Sequence, residues 1–524
     1  MHTRDIQSEP LVIRLLALLL LSPVLLTLHG CTDLEPNVFG QLTPEEFFQT
    51  EREVLAAMAP VYAQLRSTMW GYHNITQISS DETVVPTRGD DWFDGGKWLD
   101  LHRHTFAPAS PSAFEEVNQT WNDSFTGIAR ANVVLANVEN SDLPNAPAVA
   151  AELRALRAFF YYTLLDAFGN VPIVTVPVVD ADNPPANVLR AEVFDFIETE
   201  LLEAREFLPE TWGPSGYGRI TTGSVDAILA SMYLNAEVWT GDVTTSGLTR
   251  GTARWNDAIA AVDRILNSGL YTLQANWRDN FAPDNHLNPE ALFVVAHLPQ
   301  WGGEFTFQMR ALHYNQLPSS PWNGFSTIAE TYNRFEEDDP RREIFLEGEA
   351  FHQLTGEPVE NRQGNPLIFT PEIGDVTQAS ENEGVRILKW PVDPNAEENA
   401  AHGNDYAYFR LAEMHLIKAE ALNELGRTAE AIDEVNIVRA RVYGDAHVPL
   451  EAADFNQQTL RDRILDERLF ELTMEARRRQ DLIRHEKFND PWFAKAQSPA
   501  HKILFPIPEV QMDANPNLTQ NPGY

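Results

Sequence analysis

The chain has 524 residues, with 39 Lys or Arg against 76 Asp or Glu, and its formal net charge is −37. Hydrophobic residues make up 43% of it, the proportion of a globular protein and not of a disordered one. A surface this acidic repels phosphate backbones and anionic lipid headgroups, so the composition argues against nucleic-acid binding. Cys31 is the single cysteine, which excludes an intrachain disulfide.

The N-terminus has the pattern of a secretion signal. Two arginines precede an uncharged, leucine-rich run over 15–28, which is shorter than the about 20 residues that a membrane-spanning helix needs. Gly30 and Cys31 follow directly, and a small residue before a cysteine at this place resembles a bacterial lipoprotein signal. We therefore predict a signal peptide over 1–30, lipid attachment at Cys31 and a polar tether over 31–40. The alternative is ordinary secretion with an unmodified thiol.

Helical periodicity dominates the rest of the chain. Thr43–Glu46 combines a capping threonine, a proline and two acids, which predicts the start of a helix that ends near Arg66. Further helices are predicted at 112–140, 148–168, 191–207, 222–239, 254–267, 408–425, 428–442 and 460–484. Short β-like runs are predicted at 171–179 and 292–297.

Two of the predicted helices repeat one pattern of small and large apolar residues. Ala258–Ile265 matches Ala431–Val438, and Gly426 precedes the second copy at the spacing of a tetratricopeptide repeat. Such helix pairs bury their apolar faces only by stacking. The expected fold is therefore all-α dominated, a solenoid of tetratricopeptide-like helix pairs with minor β structure. It should form one domain over 31–524, with long loop-rich excursions near 80–110 and 300–400.

Four segments in order resemble the SusD/RagB family of glycan-binding outer-membrane lipoproteins of Bacteroidota. They are Leu153–Tyr162 with the following Phe168–Pro172, Gly218–Leu234, Glu467–Leu482, and Pro506–Tyr524. The resemblance implies an α-rich fold of tetratricopeptide-like pairs and a lipoprotein that captures glycans on the cell surface. It also implies a SusC-like, TonB-dependent outer-membrane transporter as partner, and an outer-membrane location facing the cell exterior.

The charged residues of the third segment have an interpretation of their own. Glu467, Glu471 and Glu475 are spaced four residues apart, so on a continuous helix they share one face, which Arg478 and Asp481 extend. We interpret this stripe as an ion-pair network that holds the last helices to their neighbours. A role at the transporter surface is the alternative. The same interpretation is given to Arg410, Glu413 and Glu420.

The loop over 80–98 is the first candidate ligand site. It combines Asp81, Arg88, Trp92 and Trp98 with several glycines. Sugar rings stack on indole faces while polar side chains bind their hydroxyls, and the family resemblance points to the same region. The alternative is that both tryptophans only hold the loop to the helical core.

Trp301, Tyr314 and Trp322 form the second candidate group, because they lie near glycine and proline in the later loop region. Three other tryptophans lie within helical patterns and are expected in the core: Trp121, Trp239 and Trp255.

No enzyme signature is recognised, so neither catalysis nor a cofactor is predicted. Asp90, Asp91 and Asp94 lack the alternating spacing of a calcium loop, so no metal site is predicted. Two alternatives to glycan capture stay open. They are a peptide-binding lipoprotein on a tetratricopeptide-like scaffold and, with less support, an α-helical carbohydrate-active enzyme whose carboxylate pair has no fixed spacing.

Overall fold

The computed structural model describes residues 48, 50–139, 141–297, 305–395 and 402–524. The α-helices in these ranges are α1 (Glu51–Thr68), α2 (Gly71–Ile78), α3 (Lys97–His102), α4 (Asn118–Val138), α5 (Ala146–Phe168), α6 (Arg190–Arg205), α7 (Thr222–Leu234), α8 (Ala236–Trp239), α9 (Trp255–Ser268), α10 (Phe307–Ala311), α11 (Ala329–Tyr332), α12 (Leu411–Glu424), α13 (Thr428–Tyr443), α14 (Gln457–Leu472), α15 (Arg478–Arg484) and α16 (Glu509–Ala514). The strands are β1 (Asp242–Thr244), β2 (Gly247–Thr249), β3 (Ala291–Val295), β4 (Ser326–Thr327), β5 (Phe345–Leu346), β6 (Gly348–Glu349), β7 (Ile368–Phe369), β8 (Val385–Ile387) and β9 (Tyr406–Arg410).

Helix α1 begins at a capping box. The Thr50 side chain accepts from the Glu53 backbone N–H, and the Glu53 carboxylate accepts from the Thr50 backbone N–H at 2.9 Å. Both bonds satisfy amides that a helix start leaves without partners. The helix start predicted at Thr43–Glu46 lies outside the described residues.

Antiparallel helix pairs form the core, which confirms the predicted all-α-dominated fold class. Helix α5 packs between α4 and α6, α7 packs against α9, and α12 packs against α13. The repeated segments lie in α9 and α13, and their small and large apolar residues are buried. Helix α9 also packs on α12, so the two repeat pairs stack as the periodicity requires.

The strands of the described residues are short, and most of them pair segments that are distant in the sequence. Strand β3 pairs antiparallel with β9, which places Ala291 opposite Arg410. Strand β8 lies between β4 and β5 in a three-stranded sheet, and Val84 extends it through a bridge to Ser326. This bridge joins the loop over 80–98 to the later loop region.

Some predicted elements differ from the structure. The run over 171–179 forms no strand within the described ranges: residues 176–178 bend, and Val176 and Val178 are exposed. The helix predicted from Tyr408 begins at Leu411, because the preceding residues pair with β3 as strand β9.

The helix predicted over 460–484 is interrupted. Helix α14 ends at Leu472, and Met474 and Ala476 adopt left-handed φ angles of 66° and 59° before α15 begins. This turn swings Glu475 into hydrogen-bonding range of Lys389, which donates to it. Burial of a carboxylate against cations thus outweighs the local preference for helix.

The charged stripe is an ion-pair network in the interior, although Glu475 does not continue the α14 face. Glu471 on α14 pairs with Arg410 on β9 and with Arg441 on α13, each at 2.5 Å. Glu467, one turn earlier, pairs with Arg341 at 2.9 Å. These contacts join α14 to a strand and a second helix, as the network interpretation predicted.

Residues 48–524 group as one compact unit. Trp121 and Trp239 are buried in its core, as predicted, and Trp255 is half-buried against that core. Within the described ranges, no helix is both long enough and apolar enough to cross a bilayer.

Candidate ligand-binding site

Three half-buried tryptophans line up where separate loops meet. Trp70 lies between α1 and α2, Trp322 follows α10, and Trp92 lies in the loop over 80–98. The ring centroid of Trp322 is 6.4 Å from that of Trp70 and 6.4 Å from that of Trp92. We call these three residues the tryptophan row. Trp322 comes 230 positions after Trp92 in the chain, so only the fold brings the row together.

Several contacts set the position of Trp92. Its indole N–H donates to the Trp322 carbonyl at 2.5 Å, and its ring lies against Gly324, where a Cβ would come within 2.3 Å of the ring. Trp98 and Phe325 pack against it with centroid distances of 5.5 and 5.8 Å. These contacts hold Trp92 at a φ of 63°, a conformation that side-chain-bearing residues seldom adopt.

Arg88 fastens the loop from inside. Its side chain is 1% exposed, and its guanidinium donates to the carbonyls of Asn323 at 2.9 Å and Glu383 at 2.8 Å and to the Ser326 hydroxyl at 3.0 Å. Burial lowers the pKa of Arg88 to about 10, so the group stays charged at neutral pH. Three chain segments are therefore joined behind the tryptophan row.

Three of the predicted ligand contacts are buried and already bonded within the protein, so we do not propose that they touch a ligand directly. Arg88 is the first of these. Asp81 pairs with Arg478 at 2.6 Å, and although burial opposes it, this guanidinium holds the pKa of the carboxyl below its ordinary value. Trp98 is 1% exposed and donates its indole N–H to Asp94 at 2.7 Å. Each of the three supports the loop, which was the alternative interpretation for the tryptophans.

A group of polar side chains lies beside Trp92. The Tyr314 hydroxyl donates to Asp91 at 2.6 Å, and Arg362 spans from Asp91 at 3.1 Å to Glu381 at 2.6 Å. The Arg362 guanidinium also lies 4.3 Å from the Tyr314 ring centre. Burial raises the pKa of Tyr314 most, and the bond to Asp91 raises it further, so the hydroxyl stays protonated at neutral pH. We call Asp91, Tyr314, Arg362 and Glu381 the polar rim.

Trp70 was missed by the sequence reasoning. It follows directly after the apolar pattern of α1, and an aromatic residue there is usually in the core. Arg310 stacks over one part of the ring at 4.3 Å, and a cavity of about 280 Å³ opens beside the two. The sequence does contain one indication: Gly71 directly follows Trp70, and a glycine at this place marks a break between two helices.

Arg362 was also missed, since a single charged residue in a polar loop gives no local signal. Tyr314 and Trp322 from the second predicted group lie at the site. Trp301, from the same group, lies outside the described residues.

The chemistry of this surface suits a ring that is apolar on one face and polar at its edge. The tryptophan row offers indole surface, and the polar rim offers a hydroxyl, two carboxylates and a guanidinium. The rim charges are largely paired with each other, so the surface does not select a strongly charged ligand.

Comparisons with known proteins agree with this architecture. A family model described as "SusD family" matches residues 267–524, and one described as "Starch-binding associating with outer membrane" matches residues 74–234. The chain belongs to the SusD/RagB family. That second description places the family in association with the outer membrane.

Relatives span nearly the whole chain at low identity. The SusD-like protein P2 of Formosa agariphila is 26% identical, covering 96% of this chain and 98% of its own. The starch-binding protein SusD of Bacteroides thetaiotaomicron is 25% identical over 71% of this chain and 72% of its own.

Solved structures share the fold. A laminarin-binding SusD-like protein superposes with a TM-score of 0.71 at 24% identity, covering 91% of this chain and all of its own. The surface glycan-binding protein A of Bacteroides fluxus gives a TM-score of 0.71 at 19% identity with the same coverage. The relatives that carry a functional name are named as binding proteins and not as enzymes, in agreement with the prediction that this chain is not a catalyst.

Proposed function

We propose that this protein captures oligo- or polysaccharide at the cell surface and delivers it to a SusC-like, TonB-dependent outer-membrane transporter. The tryptophan row carries the proposal, because three partly exposed indoles beside a polar rim form a surface on which sugar rings stack. Trp92 and Trp322 are the principal contacts, and Tyr314 lies beside them. Trp301, which lies outside the described residues, stays a predicted contact from the same set. Membership of a family with starch- and laminarin-binding relatives supports a glycan as ligand.

The first experiment is native affinity electrophoresis of a soluble chain that starts after Cys31, on gels containing laminarin, starch or other neutral and acidic polysaccharides. One neutral glycan is expected to retard the protein. Trp92→Ala/Trp322→Ala should weaken that binding at least about fivefold, because two stacking contacts of about 0.5–1.5 kcal/mol each are lost. Phe207→Ala is the matched control, since Phe207 is 59% exposed on a different surface.

Two results would contradict this assignment. Equal retardation of the double variant would remove the tryptophan row from the site. Binding of peptides in place of every polysaccharide would favour the peptide-binding alternative.

We further propose that a lipid on Cys31 anchors the protein to the outer membrane, facing the exterior, after removal of residues 1–30. An anchored capture site works at a high effective concentration next to its transporter, so weak individual contacts suffice. Cys31→Ala is expected to move the protein from the membrane fraction to the soluble fraction in cells, and retention in the membrane fraction would refute the anchor. Co-purification of the transporter with the wild-type protein from detergent extracts tests the partner.

A further inference from the structure

A second cleft shares no lining residue with the tryptophan row or the polar rim. It lies between the loop over 209–221, which joins α6 to α7, and the chain over 270–294, which leads into β3. Its volume is about 330 Å³. Its lining includes the side chains of Glu210, Thr211, Trp212, Tyr217, Leu270 and Leu287.

The first wall is held rigidly. The Trp212 indole N–H donates to the Ile220 carbonyl at 2.8 Å, and the Arg219 guanidinium stacks over the indole at 3.6 Å. Arg219 in turn donates to the fully buried Glu152 at 3.0 Å. The indole is therefore fixed in orientation, and the one cation at this wall is already neutralised by a carboxylate.

The opposite wall is also preformed, and its apolar groups face solvent. Tyr217 of the first wall donates its hydroxyl to Asp405 at 2.9 Å, and its ring lies 4.2 Å from that of His286 on the opposite wall. Leu270 and Leu287 are 44% and 51% exposed, which is high for leucines lining a cleft. Leu287 stands at a φ of 60°, so the backbone holds it in a conformation that leucine rarely adopts.

We propose that this cleft is a second carbohydrate site, which takes one or two neutral pyranose units. Its aromatic and leucine surface suits the apolar face of a sugar ring, and the exposed side chains of Glu210 and Thr211, with the backbone of the turn, supply groups for the hydroxyls. Its volume lies at the small end of ligand pockets, which excludes a long chain lying wholly inside it. The inference rests on the proposed function in one respect, because it takes the class of ligand from that proposal.

The test uses the soluble protein labelled with 5-fluorotryptophan and observed by ¹⁹F NMR, with maltose, cellobiose and laminaribiose as probes. Trp212→Phe assigns the Trp212 resonance. At least one disaccharide should shift this resonance, and the shift should persist in Trp92→Ala/Trp322→Ala. Leu270→Ala/Leu287→Ala should abolish the shift at Trp212, whereas the exposed control pair Leu202→Ala/Val448→Ala should leave it intact.

The outcomes separate the two sites. Shifts at the row tryptophans without a shift at Trp212 would overturn the cleft and leave the proposed function standing. A shift at Trp212, together with unchanged polysaccharide retardation of Trp92→Ala/Trp322→Ala, would support the cleft and refute the tryptophan row. No shift at Trp212 with any of the three disaccharides, or a shift only with a leucine-containing peptide, would overturn the carbohydrate assignment of the cleft.

Discussion

Gly324 shows how one missing side chain decides the orientation of a proposed ligand contact. A Cβ at this position would stand 2.3 Å from the Trp92 ring, far inside van der Waals contact. Gly324→Ala is therefore expected to displace Trp92 and to destabilise the protein by about 1–3 kcal/mol, the usual cost of overpacking. Thermal unfolding and polysaccharide retardation measure the two effects.

Gly374→Ala is the matched control for this prediction. A Cβ there meets only the Glu383 carboxylate at 3.8 Å, which is ordinary contact. The control should keep both stability and binding, and equal behaviour of the two variants would contradict the role given to Gly324.

Arg88, Asp81 and Trp98 show the limit of residue-level reasoning. The loop composition indicated a candidate region but not which of its side chains reach solvent. Arg88 takes its carbonyl partners from residues 235 and 295 positions away, so its burial leaves no trace in the neighbouring sequence.

At the scale of elements, Glu471 is the point where α14 meets β9 and α13. Glu471→Gln removes a buried charge that Arg410 and Arg441 both contact at 2.5 Å. Breaking a buried ion pair from one side costs about 3–5 kcal/mol, because the remaining charges stay buried without compensation. We expect a loss of that order in the free energy of unfolding, measured by chemical denaturation.

Glu430→Gln is the comparison variant, because Glu430 pairs with Arg427 at 2.5 Å on the exposed surface of α13. Solvent screens that pair, so no measurable change is expected. Similar losses for both variants would contradict the importance of burial.

The same network explains why helix length was only partly predictable. Periodicity over 460–484 is helical throughout, yet the chain breaks after Leu472 so that Glu475 can turn towards its cations. The repeat pattern in α9 and α13 was predicted correctly because neighbouring turns of one helix carry it entirely.

At the scale of the whole molecule, the buried carboxylates beside arginines predict that the protein loses stability steeply in acid. Although burial opposes their ionisation, six of these carboxyls have pKa values below the ordinary range because arginines lie next to them. The six are Asp81, Glu420, Glu467, Glu471, Glu475 and Asp481. A carboxyl with a lowered folded-state pKa stabilises the fold above its unfolded pKa of about 4, and that stability is lost as the pH falls towards the folded value.

Buried histidines act in the same direction. Burial lowers the pKa of His73 to about 3 and that of His102 to about 4, so protons bind the unfolded chain preferentially below pH 6.5. Glu82 opposes this effect, because burial raises the pKa of its carboxyl to about 7 and the folded state therefore binds that proton first. The melting temperature should change little between pH 7 and pH 5 and decline steeply below about pH 5. Thermal scans between pH 8 and pH 3 check this, and a melting temperature that stays constant down to pH 3 would contradict it.

The sequence by itself determined the family, the helical repeat class and the composition of the charged stripe. Local periodicity and short motifs encode these properties, and they need no knowledge of distant contacts. The lipid anchor at Cys31 stays a prediction from the same source, since that residue lies outside the described ranges.

Only the tertiary structure decided which aromatic and charged side chains form the candidate surface. It joined Trp70, Trp92 and Trp322 from three segments, and it buried Trp98 beneath them. The physical reason is that exposure of a loop side chain depends on the segments packed against it. Here those segments lie hundreds of residues away along the chain.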